Sequence, residues 1–192
     1  MLILNAADTG AQGRTQLEAV CSVRKIEQVL VFDSNYDKAK TFASKMAGHH
    51  SIPKDVQAAD TAPAAVQNAD IICTATTSAK PVFEDKHIKS GTHISAIGAY
   101  TPDMQEIPAE TILRAKVIVD SCAASLEEAG DIIQPIRAGI FDASHIHAEL
   151  GEIVLGRKTG RQSNTKLPVS NRWASPYRMP LRRKLQLKMR AK

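Results

Sequence analysis

The stretch Met1-Leu2-Ile3-Leu4-Asn5-Ala6-Ala7-Asp8-Thr9-Gly10-Ala11-Gln12-Gly13 decides the fold class of this chain. Met1–Ala7 is short and apolar, which is typical of a buried strand, and Gly10 opens a helical pattern that runs to Arg24. A glycine loop between strand and helix offers backbone N–H groups and the positive end of the helix dipole to phosphates. In the pattern Gly-x-Gly-x-x-Gly, Gly10 lets the backbone approach a pyrophosphate and Gly13 lets the helix pack on the strand. The predicted dinucleotide loop consists of Thr9, Gly10, Ala11, Gln12 and Gly13.

Asp8 stands where that pattern has its first glycine. The glycine makes the tight turn, and an aspartate adopts the left-handed backbone conformation only at some cost. Its carboxylate also repels a dianionic ligand, by about 1 kcal/mol or more if it is partly desolvated. We therefore expect a cofactor site of suitable shape and reduced affinity.

Asp33 ends a second apolar stretch, twenty residues after Gly13. An acid at this point accepts hydrogen bonds from the ribose hydroxyls of NAD and repels the 2′-phosphate of NADP. The alternative interpretation is a turn residue ahead of the next helix. We predict NAD as the cofactor, with NADP less favoured.

The remainder of the chain alternates strand and helix patterns. Five apolar stretches predict strands: Met1–Ala7, Gln28–Asp33, Ala69–Ala75, His93–Ile97 and Lys116–Asp120. Helices are predicted at Gly10–Arg24, Ser34–Met46 with Ser34 as its cap, Thr61–Asn68, Pro108–Arg114, Leu126–Ala129 and Ala148–Leu155, whereas residues 48–60 are polar and irregular. This βαβ alternation predicts an α/β fold: one Rossmann-type domain, residues 1–165, with a doubly wound parallel sheet.

Ligands of open α/β sheets bind beyond the carboxyl ends of the strands. Thr74 and Thr76, followed by Thr77 and Ser78, lie at such an end, and Ile97 ends the next strand. We assign Thr74, Thr76 and Ile97 to the cofactor site, the alternative for the hydroxyls being simple loop capping. Asp131 either lines the active-site cleft or is a turn residue. No catalytic residue is assigned from the sequence.

Composition narrows the class of protein. The 192 residues, 43% of them hydrophobic, suffice for one sizeable core and a short extension. None of the three cysteines has Cys-x-x-Cys spacing, which predicts a reduced, cytoplasmic compartment with Cys73 and Cys122 as small apolar side chains. His145 and His147, at i and i+2, face opposite sides of a strand, so we predict no metal site. No stretch reaches transmembrane length, so we predict no membrane partner.

The net charge of +5 comes from one end of the chain. Residues 166–192 carry nine Lys and Arg and no acid, and the rest has 16 basic against 20 acidic side chains. A basic tail can bind nucleic acid. We predict no nucleic-acid partner, because the abrupt change of composition indicates an aberrant tail, predicted to be disordered.

A set of segments, in order, resembles the ornithine cyclodeaminase/mu-crystallin family over about residues 1–165. They are Thr9–Gly13 with Gln16, Val23-Arg24, Ala69–Thr76, Gly91–Ile94, Ala96–Gly98, Pro102 with Glu106, Val119-Asp120, Gly130-Asp131, Glu149–Glu152, Gly156-Arg157 and Gly160-Arg161. The resemblance implies an NAD-dependent enzyme that passes a hydride between the nicotinamide and the α-carbon of a small amino or imino acid. It also implies a second, largely N-terminal domain that binds substrate and forms a homodimer.

Two departures from the family affect the expected activity. The chain begins at the first Rossmann strand, so we expect the substrate domain to be missing and do not assume the homodimer. Ornithine-cyclising members resemble Gly-Gly-Asp-x-Pro where this chain has Gly98-Ala99-Tyr100-Thr101-Pro102. Tyrosine, with an ordinary pKa of about 10, is no carboxylate base. The expected activity is cyclic imine reduction or amino-acid dehydrogenation, and the alternative is an inactive remnant that binds dinucleotide weakly at most.

The tail departs from the family as well, which continues into a Phe-Lys-Ser-Val-Gly-x-Ala-x-x-Asp-Ala segment. The codons can be read in a shifted frame in which each codon starts at the third base of the preceding one. In that frame Trp173-Ala174 yields Gly, and Met179-Pro180 yields Ala. Val and Asp then precede them when the codons of Arg172 and Arg178 end in G. We hypothesise that translation is out of frame from about residue 166. Coding DNA whose shifted frame lacks that segment would contradict this.

Overall fold

A single parallel sheet organises the computed structural model, which describes residues 2–5, 11–162 and 168–171. Its eight strands are ordered β3-β2-β1-β4-β5-β8-β6-β7. The strands are β1 (Leu2–Asn5), β2 (Val29–Phe32), β3 (Val56–Ala58), β4 (Ile71–Thr74), β5 (His93–Ala96), β6 (Lys116–Val119), β7 (Ile146–Glu149) and β8 (Pro168–Asn171). The helices are α1 (Ala11–Val23), α2 (Tyr36–Met46), α3 (Ala62–Val66), α4 (Ala109–Leu113), α5 (Cys122–Glu128), α6 (Gly130–Arg137) and α7 (Leu150–Val154). Within the described ranges, no helix has the length and apolar character of a membrane span.

Helices cover both faces of this sheet, which gives two apolar cores. On one face, α1 and α2 pack on β2 through a buried group that includes Leu17, Val31 and Phe42. On the other, α3, α4 and α6 pack on β4, β5 and β6 around Ile94 and Ile112. The doubly wound α/β fold predicted from the sequence is therefore confirmed.

Strand alternation explains why these residues form these elements. In β5 and β6 every second side chain is fully buried and the others are half-buried. Helix α3 begins where it was predicted: the Thr61 hydroxyl accepts a hydrogen bond from the Ala64 N–H at 3.3 Å. The predicted cap of α2 was wrong by one position. Asn35, not Ser34, caps that helix, and its side chain accepts from the Lys38 N–H at 3.2 Å.

Four elements were missed by the sequence patterns: β3, β7, β8 and α6. The largest consequence concerns β8, which lies between β5 and β6 inside the sheet. Val169 is 1% exposed and pairs with Ile94 and Val117. This strand lies beyond the boundary predicted at residue 165, and the division of the chain into domains stays a prediction. Residues 172–192 lie outside the described ranges, so the predicted tail disorder stays a prediction.

Candidate functional site

The carboxyl edge of the sheet collects most of the residues that the sequence assigned to a cofactor. The last residues of β1, β2, β4 and β5 lie side by side, with Asn5 paired to Phe32 and Thr74, and Thr74 paired to Ala96. The order β3-β2-β1-β4 reverses chain direction between β1 and β4, and ligands of doubly wound sheets bind at such a switch point.

The start of α1 faces this switch point. Its thirteen residues begin at Ala11, with Gln12 exposed and Gly13 buried. A helix N-terminus at this place directs its free backbone N–H groups beyond the strand ends. Asp8, Thr9 and Gly10 lie outside the described residues, so their part of the loop stays a prediction.

Asp33 is 3% exposed at the carboxyl end of β2. Its Oδ1 accepts a hydrogen bond from the Asn35 N–H at 2.8 Å, which is the turn role considered above. Its Oδ2 is buried without a hydrogen-bond partner among the residues that the structure describes. Because an unpaired buried carboxylate oxygen is costly, this atom is available to accept a ligand donor.

Glu106 joins the ends of β4 and β5, and the sequence patterns gave it no role in the site. It is fully buried. Its Oε1 accepts from the Thr76 N–H, and its Oε2 accepts from the Thr74 hydroxyl at 2.8 Å and the Gly98 N–H at 2.7 Å. Burial raises the pKa of this carboxyl, while the donors around it oppose that rise. Three donors on two oxygens favour the ionised form.

Asp131 binds the backbone of Glu106. It is 1% exposed, and its Oδ1 accepts from the backbone N–H groups of Glu106 and Ile107 at 2.7 and 2.9 Å. Burial, followed by repulsion from Glu106, raises the pKa of Asp131 to about 8. The raised pKa favours a proton on Asp131, whereas the three donors favour the charge on Glu106.

The hydroxyls assigned to the cofactor have local partners. Thr74 is fully buried and donates to Glu106, and the Thr76 hydroxyl accepts from the Ser78 N–H at 3.2 Å. These bonds agree with the capping alternative. Ile97 is 6% exposed at the end of β5. Contact of these three side chains with a cofactor stays a prediction.

Among the described residues, the hydrogen bonds given above for Glu106 and Asp131 involve none of the cysteines and histidines considered from the sequence. Cys73 is fully buried, and burial raises its pKa to about 12, so it is an unreactive apolar side chain as predicted. Cys122 is only half-buried, at the start of α5. His145 Nε2 lies 2.8 Å from the Ile112 carbonyl oxygen, and His147 Nε2 lies 2.9 Å from that of Thr159. The described ranges contain no group of three side chains that could hold a metal.

Replacing Asp131 by asparagine is expected to make stability less dependent on pH. A carboxyl whose pKa rises from 3.8 to about 8 on folding binds a proton that the unfolded chain releases. Between these values wild-type stability therefore falls as pH rises, by up to about 1.4 kcal/mol per pH unit. Asparagine keeps an acceptor for the two N–H groups. Urea unfolding at several pH values measures the slope, and an equal slope in the variant would show that Asp131 does not cause it.

The eight-stranded parallel sheet, its switch point and the helix that starts there define a Rossmann-type domain. The family model "Ornithine cyclodeaminase/mu-crystallin family" matches residues 4–171, and the chain belongs to this family. The resemblance predicted from the sequence is thus confirmed. The matched residues include strand β8.

The relatives of known name include reductases and dehydrogenases, and the solved structures also include a lysine cyclodeaminase at 27% identity. A Delta(1)-pyrroline-2-carboxylate reductase of Bacillus cereus is 44% identical over 162 residues, which are 84% of this chain and 49% of that protein. The solved Thermococcus litoralis Delta(1)-pyrroline-2-carboxylate reductase, in complex with NADH and L-proline, superposes with a TM-score of 0.84 at 40% identity, covering 90% of this chain and 53% of that one. An archaeal alanine dehydrogenase dimer with bound NAD gives 0.81 at 30% identity, covering 90% and 52%. The chain spans about half the length of these relatives.

Proposed function

We propose that this chain is the NAD(H)-binding part of an oxidoreductase of amino- and imino-acid metabolism. The reaction class is hydride transfer between the nicotinamide and the α-carbon of a small amino or imino acid. Support comes from the relatives: one reductase was solved with NADH and L-proline, and an alanine dehydrogenase with NAD. Reduction of a cyclic imine or dehydrogenation of an amino acid is favoured over ornithine cyclodeamination, since Tyr100 stands where that reaction has an aspartate.

The observation that carries this proposal is the Oδ2 of Asp33, which has no hydrogen-bond partner in the part of the chain that the structure describes. It is buried at the carboxyl end of β2, the strand next to the switch point. A ribose diol supplies the hydroxyl donors that such an oxygen requires, whereas a 2′-phosphate would place like charge against it. The start of α1, from Ala11 to Gly13, would hold the pyrophosphate.

At the nicotinamide end of the site, the residues of this chain would act by positioning the cofactor. Glu106 fixes the Thr76 N–H and the Gly98 N–H on one carboxylate, so the loops after β4 and β5 form a rigid floor. Ile97 and Thr76 would form the surface against which the ring lies. The bound cofactor supplies the hydride chemistry. No residue of the described ranges is proposed to bind the substrate carboxylate.

The cysteines support a proposal for the compartment in which the protein functions. All three cysteines are free, which supports a reduced compartment, and we propose the cytoplasm. A dimer is not part of the proposal. The second candidate function is an inactive remnant with weak dinucleotide binding, favoured by Asp8 in the phosphate loop.

Calorimetric titration with NADH and NADPH tests the proposal. The wild-type chain is expected to bind NADH in the micromolar range and NADPH at least tenfold more weakly. Asp33→Asn keeps an acceptor for the Asn35 N–H but removes the charge, so NADH affinity should fall about tenfold, and the preference over NADPH should shrink. Asp37→Asn, an equal charge change at the exposed first turn of α2, is the matched control and should bind like wild type.

Two other results have distinct meanings. A folded wild-type chain that binds neither nucleotide, but gains NADH binding on Asp8→Gly, would identify a remnant whose loop has lost its function. A chain that binds both nucleotides equally, with Asp33→Asn unchanged, would contradict the assignment of the ribose to Asp33.

A further inference from the structure

Helix α6 is joined by two polar side chains to the β5 loop, which consists of residues 98–107 and follows β5. Asp131 and Gln134 lie three positions apart in this helix, so they share one of its faces. The Oδ1 of Asp131 accepts hydrogen bonds from the backbone N–H groups of Glu106 and Ile107, at the end of the loop. One carboxyl group therefore fixes two consecutive peptide groups.

The amide of Gln134 binds the middle of the same loop. Its Nε2 donates hydrogen bonds to the backbone carbonyl oxygens of Pro102 and Met104, at 3.0 and 3.2 Å. At the start of α6, Gly130 approaches the Met104 carbonyl so closely that a β-carbon has no room. The loop atoms in these contacts all belong to the backbone. Helix α6 therefore sets the path of the β5 loop, and not the orientation of a single side chain.

The β5 loop is bound in turn to the β4 loop, residues 75–82, which follows β4. The Gln105 N–H donates to the Ser78 carbonyl oxygen at 2.8 Å, and the Val82 N–H donates to the carbonyl oxygen of Glu106 at 2.9 Å. The Glu106 carboxylate adds the bonds to both loops that are described above. A shift of α6 would therefore move both loops at the carboxyl edge of the sheet.

Stability alone does not explain a carboxyl group at this place in α6. The apolar side chains that the helix buries are Ile132, Ile133 and Pro135. Asp131 is buried beside them, and burial raises its pKa, so the surroundings disfavour its charge. Its Oδ2 also has no hydrogen-bond partner among the described residues. Such a buried polar atom costs stability, whereas the Oδ1 bonds define where the loop lies.

We propose that Asp131 and Gln134 are positioning residues of the cofactor site, which act through the β5 loop on the surface that receives the nicotinamide end of the dinucleotide. This inference rests on the proposed function and divides the proposed site into two parts. The ADP part of the cofactor depends on β2 with Asp33 and on the start of α1, on one side of the switch point. The nicotinamide part depends on the loops after β4 and β5, on the other side. The hydrogen bonds of α6 reach this second part.

A comparison of two ligands tests this division of the site. NADH carries the nicotinamide, and ADP-ribose is the part of the same molecule that lacks it. Gln134→Ala removes the donor to both loop carbonyls. In calorimetric titration of the full chain, this variant is expected to bind NADH about tenfold more weakly than wild type and to bind ADP-ribose within about twofold of wild type. General damage to the fold would weaken the binding of both ligands alike.

Matched variants complete the comparison. Gln28→Ala is the control: Gln28 is also half-buried and donates through Nε2 to Asp55 at 3.0 Å, but it lies at the amino edge of the sheet, so both affinities should equal those of wild type. Asp131→Ala should lose NADH affinity selectively, and Asp131→Asn, which keeps an acceptor for the two N–H groups, should restore most of it. If Gln134→Ala does not fold, Gln134→Glu keeps the shape without the donor and carries the same expectation.

The outcomes separate this inference from the proposed function. If wild type binds NADH and the Gln134 variant loses affinity for both ligands equally, or for neither, α6 does not position the nicotinamide end, and the proposed function stands. Equal affinity of wild type for NADH and ADP-ribose would also overturn the inference alone, because the nicotinamide would then make no contact that needs positioning. A folded wild-type chain that binds neither ligand would contradict the proposed function, and the inference would fall with it.

Discussion

Replacing Gly130 by alanine is expected to lower the free energy of unfolding by about 3 kcal/mol or more. A β-carbon at this first residue of α6 would lie 1.9 Å from the carbonyl oxygen of Met104 and 2.7 Å from that of Thr101. Both atoms are backbone, so no side-chain rotation relieves the overlap. The loop or α6 must move, and either movement separates Asp131 Oδ1 from the backbone N–H of Glu106.

Gly151→Ala is the matched control for this substitution. A β-carbon at Gly151, in the first turn of α7, has no neighbouring atom within 4 Å, and its backbone is helical. Alanine favours a helix over glycine, so this variant should equal or exceed wild-type stability by up to about 1 kcal/mol. Urea unfolding followed by circular dichroism compares the three proteins. Equal midpoints for Gly130→Ala and wild type would contradict the close approach of α6 to the 101–104 loop.

The sheet was predictable because its signals are local. Buried strands such as 71–74 are continuous apolar runs. The glycines after the first strand have the spacing of the dinucleotide-binding pattern. Strands β3 and β8 were not predictable. Val56–Ala58 is too short and polar for a pattern, and Pro168–Asn171 offers a single large apolar side chain. Its place between β5 and β6 is set by pairing with partners more than fifty residues away.

Prediction from the sequence has the same limit at the proposed cofactor site. Asp33 could be assigned to the ribose because its distance from Gly13 is part of a known pattern, and that role stays a prediction. Glu106 could not, because its role consists of hydrogen bonds to residues 30 and 32 positions earlier, and burial of a carboxylate is invisible in composition. The only signal was its place in the family resemblance, together with Gly130-Asp131. Long-range polar contacts of this kind require coordinates.

Replacing Glu106 by glutamine should cost about 2–4 kcal/mol of stability and weaken NADH binding at least tenfold, although the two side chains have the same shape. Both carboxylate oxygens accept hydrogen bonds, from Thr76 on one and from Thr74 and Gly98 on the other. An amide places an NH₂ group against at least one of these donors and leaves that donor buried and unpaired. Glu110→Gln, exposed in the first turn of α4, is the control and should change stability by less than about 0.5 kcal/mol.

A pH measurement separates the charge of Glu106 from its shape. Repulsion from Glu106 is the second cause, after burial, of the raised pKa of Asp131. Without that charge the folded-state pKa of Asp131 should move down towards its ordinary value, so the loss of stability with rising pH should end at a lower pH in Glu106→Gln than in wild type. If the variant loses stability over the wild-type pH range, burial alone sets the proton on Asp131. Glu106 would then act on the cofactor edge only through the geometry of its three hydrogen bonds.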